Sequence, residues 1–264
     1  VSSGDQPAPE GHRDLSPEGR VELGPEGPSD LAARVGRDLH HAEEHLVPAW
    51  LRPTGAENRI PAALAIAAAI FMQFRLPDKL GLRPGWLVPL LEMVLLIVLT
   101  VLNPVRLSRR SRFGRYAALT IVAVITIDNA ISAALLDHAI LVGSATNDAV
   151  TLIGSAASIY LTNVIAFGLW YWELDRGGPF ARSEGSDPYP DFLFPQMANP
   201  ELASSDWEPR FLDYLYVSFT NATAFSPTDT MPLTQGVKAL MAVQSFIALT
   251  TIGLVVAHAV NVLR

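Results

Sequence analysis

Three acidic or amide side chains sit where a membrane-embedded chain could least tolerate them. Glu92 stands near the centre of LVPLLEMVLLIVL, and Asp128 and Asn129 near the centre of TIVAVITIDNAISAALL. Asn163 lies near the middle of a further apolar run. A charged side chain at the centre of a bilayer costs about 2.5–3.5 kcal/mol on insertion scales, so such groups face protein or water and seek partners. Two carboxyls at similar depth could share a proton or hold a cation. Hydrogen bonding between helices, with one or both acids protonated, is the structural alternative.

Spacing supports a shared polar face. Ser132 follows Asp128 by four residues and Asn129 by three, with Thr126 at the edge of that face. Ser155, Ser158 and Thr162 form a similar stripe beside Asn163. Gln244, Thr251 and His258 fall seven apart in the last apolar run. Two weaker patterns remain. HAEEH, His41 to His45, fits the spacing of an inverted zinc-peptidase helix, but no third ligand accompanies it, and a solvated helix surface is the favoured reading. Asn221-Ala222-Thr223 matches a glycosylation sequon that membrane burial would disable. No metal, no cofactor and no enzymatic activity are expected.

The elements that must position these groups follow from composition. Of 264 residues, 50% are hydrophobic and only 17% charged, with mean hydropathy +0.27. Five apolar runs approach the ~20 residues that cross a bilayer. They are Ile60–Phe74, Trp86–Leu102, Ala117–Leu136, Ala149–Trp172 and Val237–Leu263, the first being short. The expected fold is therefore an all-α membrane protein with about five transmembrane helices. Residues 1–58 form an acidic tail, disordered by composition over 1–30, with an amphipathic helix from Leu31 to Leu51. Residues 59–264 form the membrane domain. No cleavable signal is expected in the polar N-terminal stretch, and the absence of cysteine excludes disulfides and thiolate metal sites.

The segment Asn103–Tyr116 carries Arg106, Arg109, Arg110, Arg112 and Arg115, and short Arg-rich loops stay cytoplasmic. That places the N-terminus inside and loop 138–148, which lacks Lys and Arg, outside. The chain reads as a multi-pass protein of the inner, or plasma, membrane. The net charge of −7 and the membrane reading of the one basic run disfavour nucleic acid. LWYWELDRGGP, Leu169 to Pro179, places Trp170, Tyr171 and Trp172 at headgroup depth.

Residues 211–234 read as a re-entrant segment. FLDYLYVSFTNATA, Phe211 to Ala224, is a short amphipathic helix, and an irregular turn then leads to the last long helix. YLYVSFTNATAFSPTDTMPLT resembles the pore helix, filter and following turn of the potassium-channel superfamily. The resemblance puts Asp229 at the filter aspartate, Pro232-Leu233-Thr234 at the following Pro-x-Thr, and Thr223 at the filter entry. Phe225, Ser226, Pro227 and Thr228 occupy the filter itself. Pro227 fixes φ near −65°, and no glycine supplies left-handed dihedrals, so a standard potassium filter is not expected. The resemblance implies a cation channel for monovalent ions, formed by a homo-oligomer with a tetramer favoured. Thr223, Phe225, Ser226, Thr228 and Asp229 would form the constriction, and Gln244, Thr251 and His258 the wall. The alternatives are a proton- or cation-coupled carrier using Glu92 and Asp128, and a non-transporting scaffold. The strings LWYWELDRGGP, PDFLFPQM and FTNATAFSPTDTMPL also resemble a widespread bacterial family of uncharacterised polytopic membrane proteins, which implies no activity.

Overall fold

The computed structural model describes residues 48–54, 57–102, 112–146, 148–224 and 229–262. Residues 1–47 of the acidic tail, HAEEH among them, most of the five-arginine segment, and Phe225, Ser226, Pro227 and Thr228 therefore lie outside the described residues. The described residues begin with a short 3-10 turn, Ala49–Leu51, and continue into α1, Ile60–Phe74, and α2, Leu87–Leu102. Two long helices follow, α3, Arg112–Leu141, and α4, Ala149–Leu174. After a tight turn come the short helix α5, Pro179–Ser183, strand β1, Phe192–Leu193, and the single turn α6, Pro195–Ala198. The chain ends with α7, Phe211–Ala224, strand β2, Met231–Pro232, and α8, Gln235–Val262.

Local chemistry explains the ends of these helices. Asn58 accepts from the Ile60 amide, and Pro61 occupies the first turn of α1, where its missing N–H costs nothing. Asp148 caps α4, accepting from the amides of Val150 and Thr151 at 3.3 and 3.1 Å. The Thr151 hydroxyl and amide hold the Asp148 carboxyl below its ordinary range. Gly178, at φ 93°, lets the chain turn hard after α4; a Cβ there would meet the Glu173 carbonyl at 2.8 Å.

Among the described residues three helices are long and apolar enough to cross a membrane: Gly114–Leu141, Ala149–Gly177 and Gln235–Val260. This is compatible with a multi-pass membrane protein. The apolar helices Ile60–Phe74 and Leu87–Val101 fall short of that length, spanning only about 22 Å each at 1.5 Å per residue. The sequence expectation of about five spans thus stands at three by length.

α3 begins at Arg112 rather than Ala117 and ends at Leu141 rather than Leu136. The helix extends beyond the apolar run because arginine is a good helix former and a helix needs no apolar surroundings to continue.

α4 is the hub. It packs on α1, α3, α7 and α8, and its Ile159, Phe167, Leu169, Tyr171 and Trp172 are buried. Gly168 permits the closest approach to α7, since a Cβ there would lie 3.1 Å from the Leu215 Cα. β1 and β2 form one antiparallel pair, Phe192 opposite Pro232 and Leu193 opposite Met231. That pair ties the start of the α8 segment to the end of the bundle at which α4 finishes.

Candidate carboxyl site within the helix bundle

Glu92 and Asp128 come together between three helices. Glu92 lies on the second turn of α2 and is 0% exposed. Asp128, Asn129 and Ser132 share the adjoining face of α3 and are all buried. α1 adds Gln73, whose Nε2 donates to Glu92 Oε1 at 3.3 Å. Asp128 lies within electrostatic reach of Glu92. Four buried polar atoms here have no hydrogen-bond partner: Glu92 Oε2, Gln73 Oε1, Asn129 Oδ1 and Ser132 Oγ.

A polar cavity of about 20 Å³ adjoins this group. Gln73, Asp128 and Ser132 line its inner wall, and Asp78, Gly81 and Gly85 of the α1–α2 connection line its outer wall. That volume suits about one water molecule. The connection packs against the C-terminal end of α3: Leu80 joins Leu136 of α3 and Leu152 of α4 in one apolar cluster. The cavity therefore sits at the bundle end away from Arg115.

The donor set decides the chemistry. Two carboxyls, an amide and hydroxyl and amide oxygens are hard ligands, suited to a proton or a small cation rather than a soft transition metal. Two buried carboxyls within electrostatic reach of one another repel as anions; each needs a proton or a counter-cation to remain buried.

The other expected residues are placed differently. Asn163, on α4, is 1% exposed, neither its Nδ2 nor its Oδ1 has a partner, and α4 contributes no residue to the lining of the polar cavity beside Asp128. Gln244 is fully enclosed. Its Oε1 accepts from Tyr171 Oη at 2.6 Å and from Asn221 Nδ2 at 2.8 Å. Its Nε2 donates to the Ser218 carbonyl and hydroxyl at 3.0 and 2.7 Å. Its polar atoms thus join α4, α7 and α8 within one chain. Thr251 is buried and His258 half-buried on α8, and Thr251 Oγ1 and His258 Nε2 have no partner. Thr223 donates to the Phe219 carbonyl at 2.7 Å and shares a hydrogen bond with Tyr160. Asp229 is exposed.

At the opposite end lies a second polar centre that the sequence patterns do not single out. Arg182 pairs with Glu57 at 2.9 Å and donates to the carbonyls of Trp172 and Asp175. Burial opposes its charge, but Tyr214, Glu57 and Asp175 around it outweigh that and raise its proton affinity above the ordinary range. Asp175 accepts from Tyr214 Oη at 2.6 Å and from the Asp191 amide at 2.8 Å. Arg176, at φ 51° and fully buried, donates to the carbonyls of Trp50 and Asp187. Its guanidinium lies 5.3 Å from the centre of the Trp50 ring. The only signal available in the sequence was the string LWYWELDRGGP. Its partners Glu57, Asp191 and Tyr214 are distant along the chain.

No family model matches the chain, and neither a curated protein nor a solved structure does.

Proposed function

We propose that the chain is a proton- or monovalent-cation-coupled carrier of the inner membrane, with Glu92 and Asp128 as the ion-binding carboxyls. The observation that carries this reading is the buried pair itself, with Glu92 Oε2 unpartnered, three further unpartnered polar atoms on Gln73, Asn129 and Ser132, and a polar cavity beside it. Gln73 orients Glu92, and Ser132 and Asn129 supply further oxygens. In this reading α1 and α2 cross beside the three long helices, with the bilayer thinned locally to match their shorter length, which gives five spans and a cytoplasmic N-terminus. The cavity then faces outward. An ion enters beneath the Asp78–Gly85 connection, neutralises the pair and leaves when the bundle opens elsewhere.

Reconstituted into vesicles with an internal pH indicator, the wild-type chain should dissipate an imposed proton or sodium gradient. Glu92→Gln and Asp128→Asn keep side-chain shape and should each abolish that flux while the purified variants keep the wild-type elution profile. Unchanged flux in both variants would remove the site from the mechanism.

A second reading keeps the pore-loop resemblance. α7 is a short helix tucked against α4 and α8, and β2 returns the chain to the start of α8. In a homo-oligomer, a tetramer by analogy, Thr223, Phe225, Ser226, Thr228 and Asp229 would ring a path for monovalent cations. Thr251 and His258 would line it further along. Unitary currents in planar bilayers that lose cation preference in Asp229→Asn would favour this reading over the carrier.

A further inference from the structure

A larger cavity, about 80 Å³, lies at the other end of the bundle among α1, α2, α3 and α4. Its walls are almost wholly apolar: Ala62, Ala63 and Ile66 from α1, Leu96 and Leu99 from α2, and Ala118, Ile121 and Val122 from α3. The deep residues Ile66, Ile121 and Val122 are buried, whereas Thr100 on the rim is exposed. From Ile60 to Ile66 the slot runs six residues along α1, about 9 Å at helical rise. Small side chains create it, since alanine lines α1 and α3 where leucine would close the gap.

The rim is charged. Arg59 and Glu173 both line it, beside Trp172. Arg59 lies 5.7 Å from the centre of the Trp172 ring. Arg115 acts on Glu173 from the same end and donates to the Gly177 carbonyl. Glu57 and Arg182 cancel in their own ion pair. On the lining itself one guanidinium, Arg59, meets one carboxyl, Glu173, and Arg115 behind it tips the local balance toward positive charge. Glu92 and Asp128 do not line it, so nothing here depends on the carrier reading.

We infer that this slot is a binding site for one acyl chain of an anionic phospholipid, with the headgroup phosphate on Arg59. The apolar depth takes the chain, and the rim separates anionic from zwitterionic headgroups by charge. Glu173 accepts a hydrogen bond from a headgroup hydroxyl, which a glycerol headgroup offers and a choline headgroup does not.

The test is native mass spectrometry of the full chain released from nanodiscs of equal parts phosphatidylglycerol and phosphatidylcholine. The wild type should retain one phosphatidylglycerol per chain in preference to phosphatidylcholine. Arg59→Gln should lower that retention about tenfold, the worth of one charge-assisted contact. Ala118→Phe should abolish it by filling the slot, and Ala63→Phe should do so from the other wall should the first variant fail to fold. Arg75→Gln, at the far end of α1, should change nothing. Equal retention of both lipids would overturn the proposal. So would wild-type retention in Arg59→Gln together with the folded filling variant, or an equal loss in Arg75→Gln, which would mark a general charge effect.

Discussion

At the scale of single residues, burial separates two kinds of polar group in this chain. Gln244 has every polar atom bonded within the chain, whereas Glu92 keeps Oε2 unpartnered. The first pattern is that of a structural joint, and the second is the one on which the carrier proposal rests. Gln244→Leu would leave Tyr171, Asn221 and Ser218 without a shared partner in the interior. Each buried group so stranded costs about 1–3 kcal/mol, so the variant should lose roughly 3 kcal/mol or more of stability. Thermal unfolding in detergent, followed by tryptophan fluorescence, reads this directly; an unshifted midpoint would return Gln244 to the role of an exposed pore wall. The sequence placed Gln244, Thr251 and His258 on one stripe, and that stripe is real as helical spacing. Spacing does not say whether a stripe meets water, lipid or another helix. Gln73 shows the converse. It stood near the end of the shortest apolar run with no polar neighbour at helical spacing, yet the α1–α2 turn brings it to Glu92.

At the scale of elements, the helices were legible where hydropathy changes sharply and less so where it does not. Phe211–Ala224 has the limits that its amphipathic pattern predicts. α3 outruns its apolar core at both ends because a helix can continue through Arg115 and Tyr116 without needing an apolar environment. The tight end of α4 was visible only as aromatics followed by Gly-Gly-Pro. The ion pair of Glu57 and Arg182 joins residues 125 apart, a distance no local period encodes. Close helix contact was hidden too. Gly168 reads as one glycine in an apolar run, yet it sets the approach of α4 to α7. Gly168→Ala should force these backbones apart, because its Cβ meets the Leu215 Cα at 3.1 Å. Backbone yields less than a side-chain tip, and overpacking of this kind costs about 1–3 kcal/mol. The same unfolding assay should show a lower midpoint, against the rise that alanine's better helix propensity alone would give.

At the scale of the whole helix bundle, the two polar centres mark opposite ends. Arg115, Gly177, Arg182 and Glu57 gather where α3 begins and α4 finishes. Leu80, Leu136 and Leu152 gather where α3 finishes and α4 begins, beneath the Asp78–Gly85 connection. By sequence, Arg106, Arg109 and Arg110 lie between α2 and α3, and Arg112 and Arg115 open α3, whereas the second end has Arg75, Lys79 and Arg83 in the α1–α2 connection and no Lys or Arg from 138 to 148. On the positive-inside rule, that asymmetry leads us to expect the first end in the cytoplasm. The chain contains no cysteine, so single introduced thiols report position without background. Leu82→Cys and Ser144→Cys lie on exposed residues of the second end, and Ser205→Cys on an exposed residue of the segment between α6 and α7. In intact cells a membrane-impermeant maleimide should label positions 82 and 144, and should reach 205 only after permeabilisation. Labelling at 205 alone would reverse the orientation and turn the carboxyl cavity toward the cytoplasm. Labelling at 144 without 82 would mean that α1 and α2 do not deliver their connection to the outer face, and the outward path to Glu92 and Asp128 would then be lost.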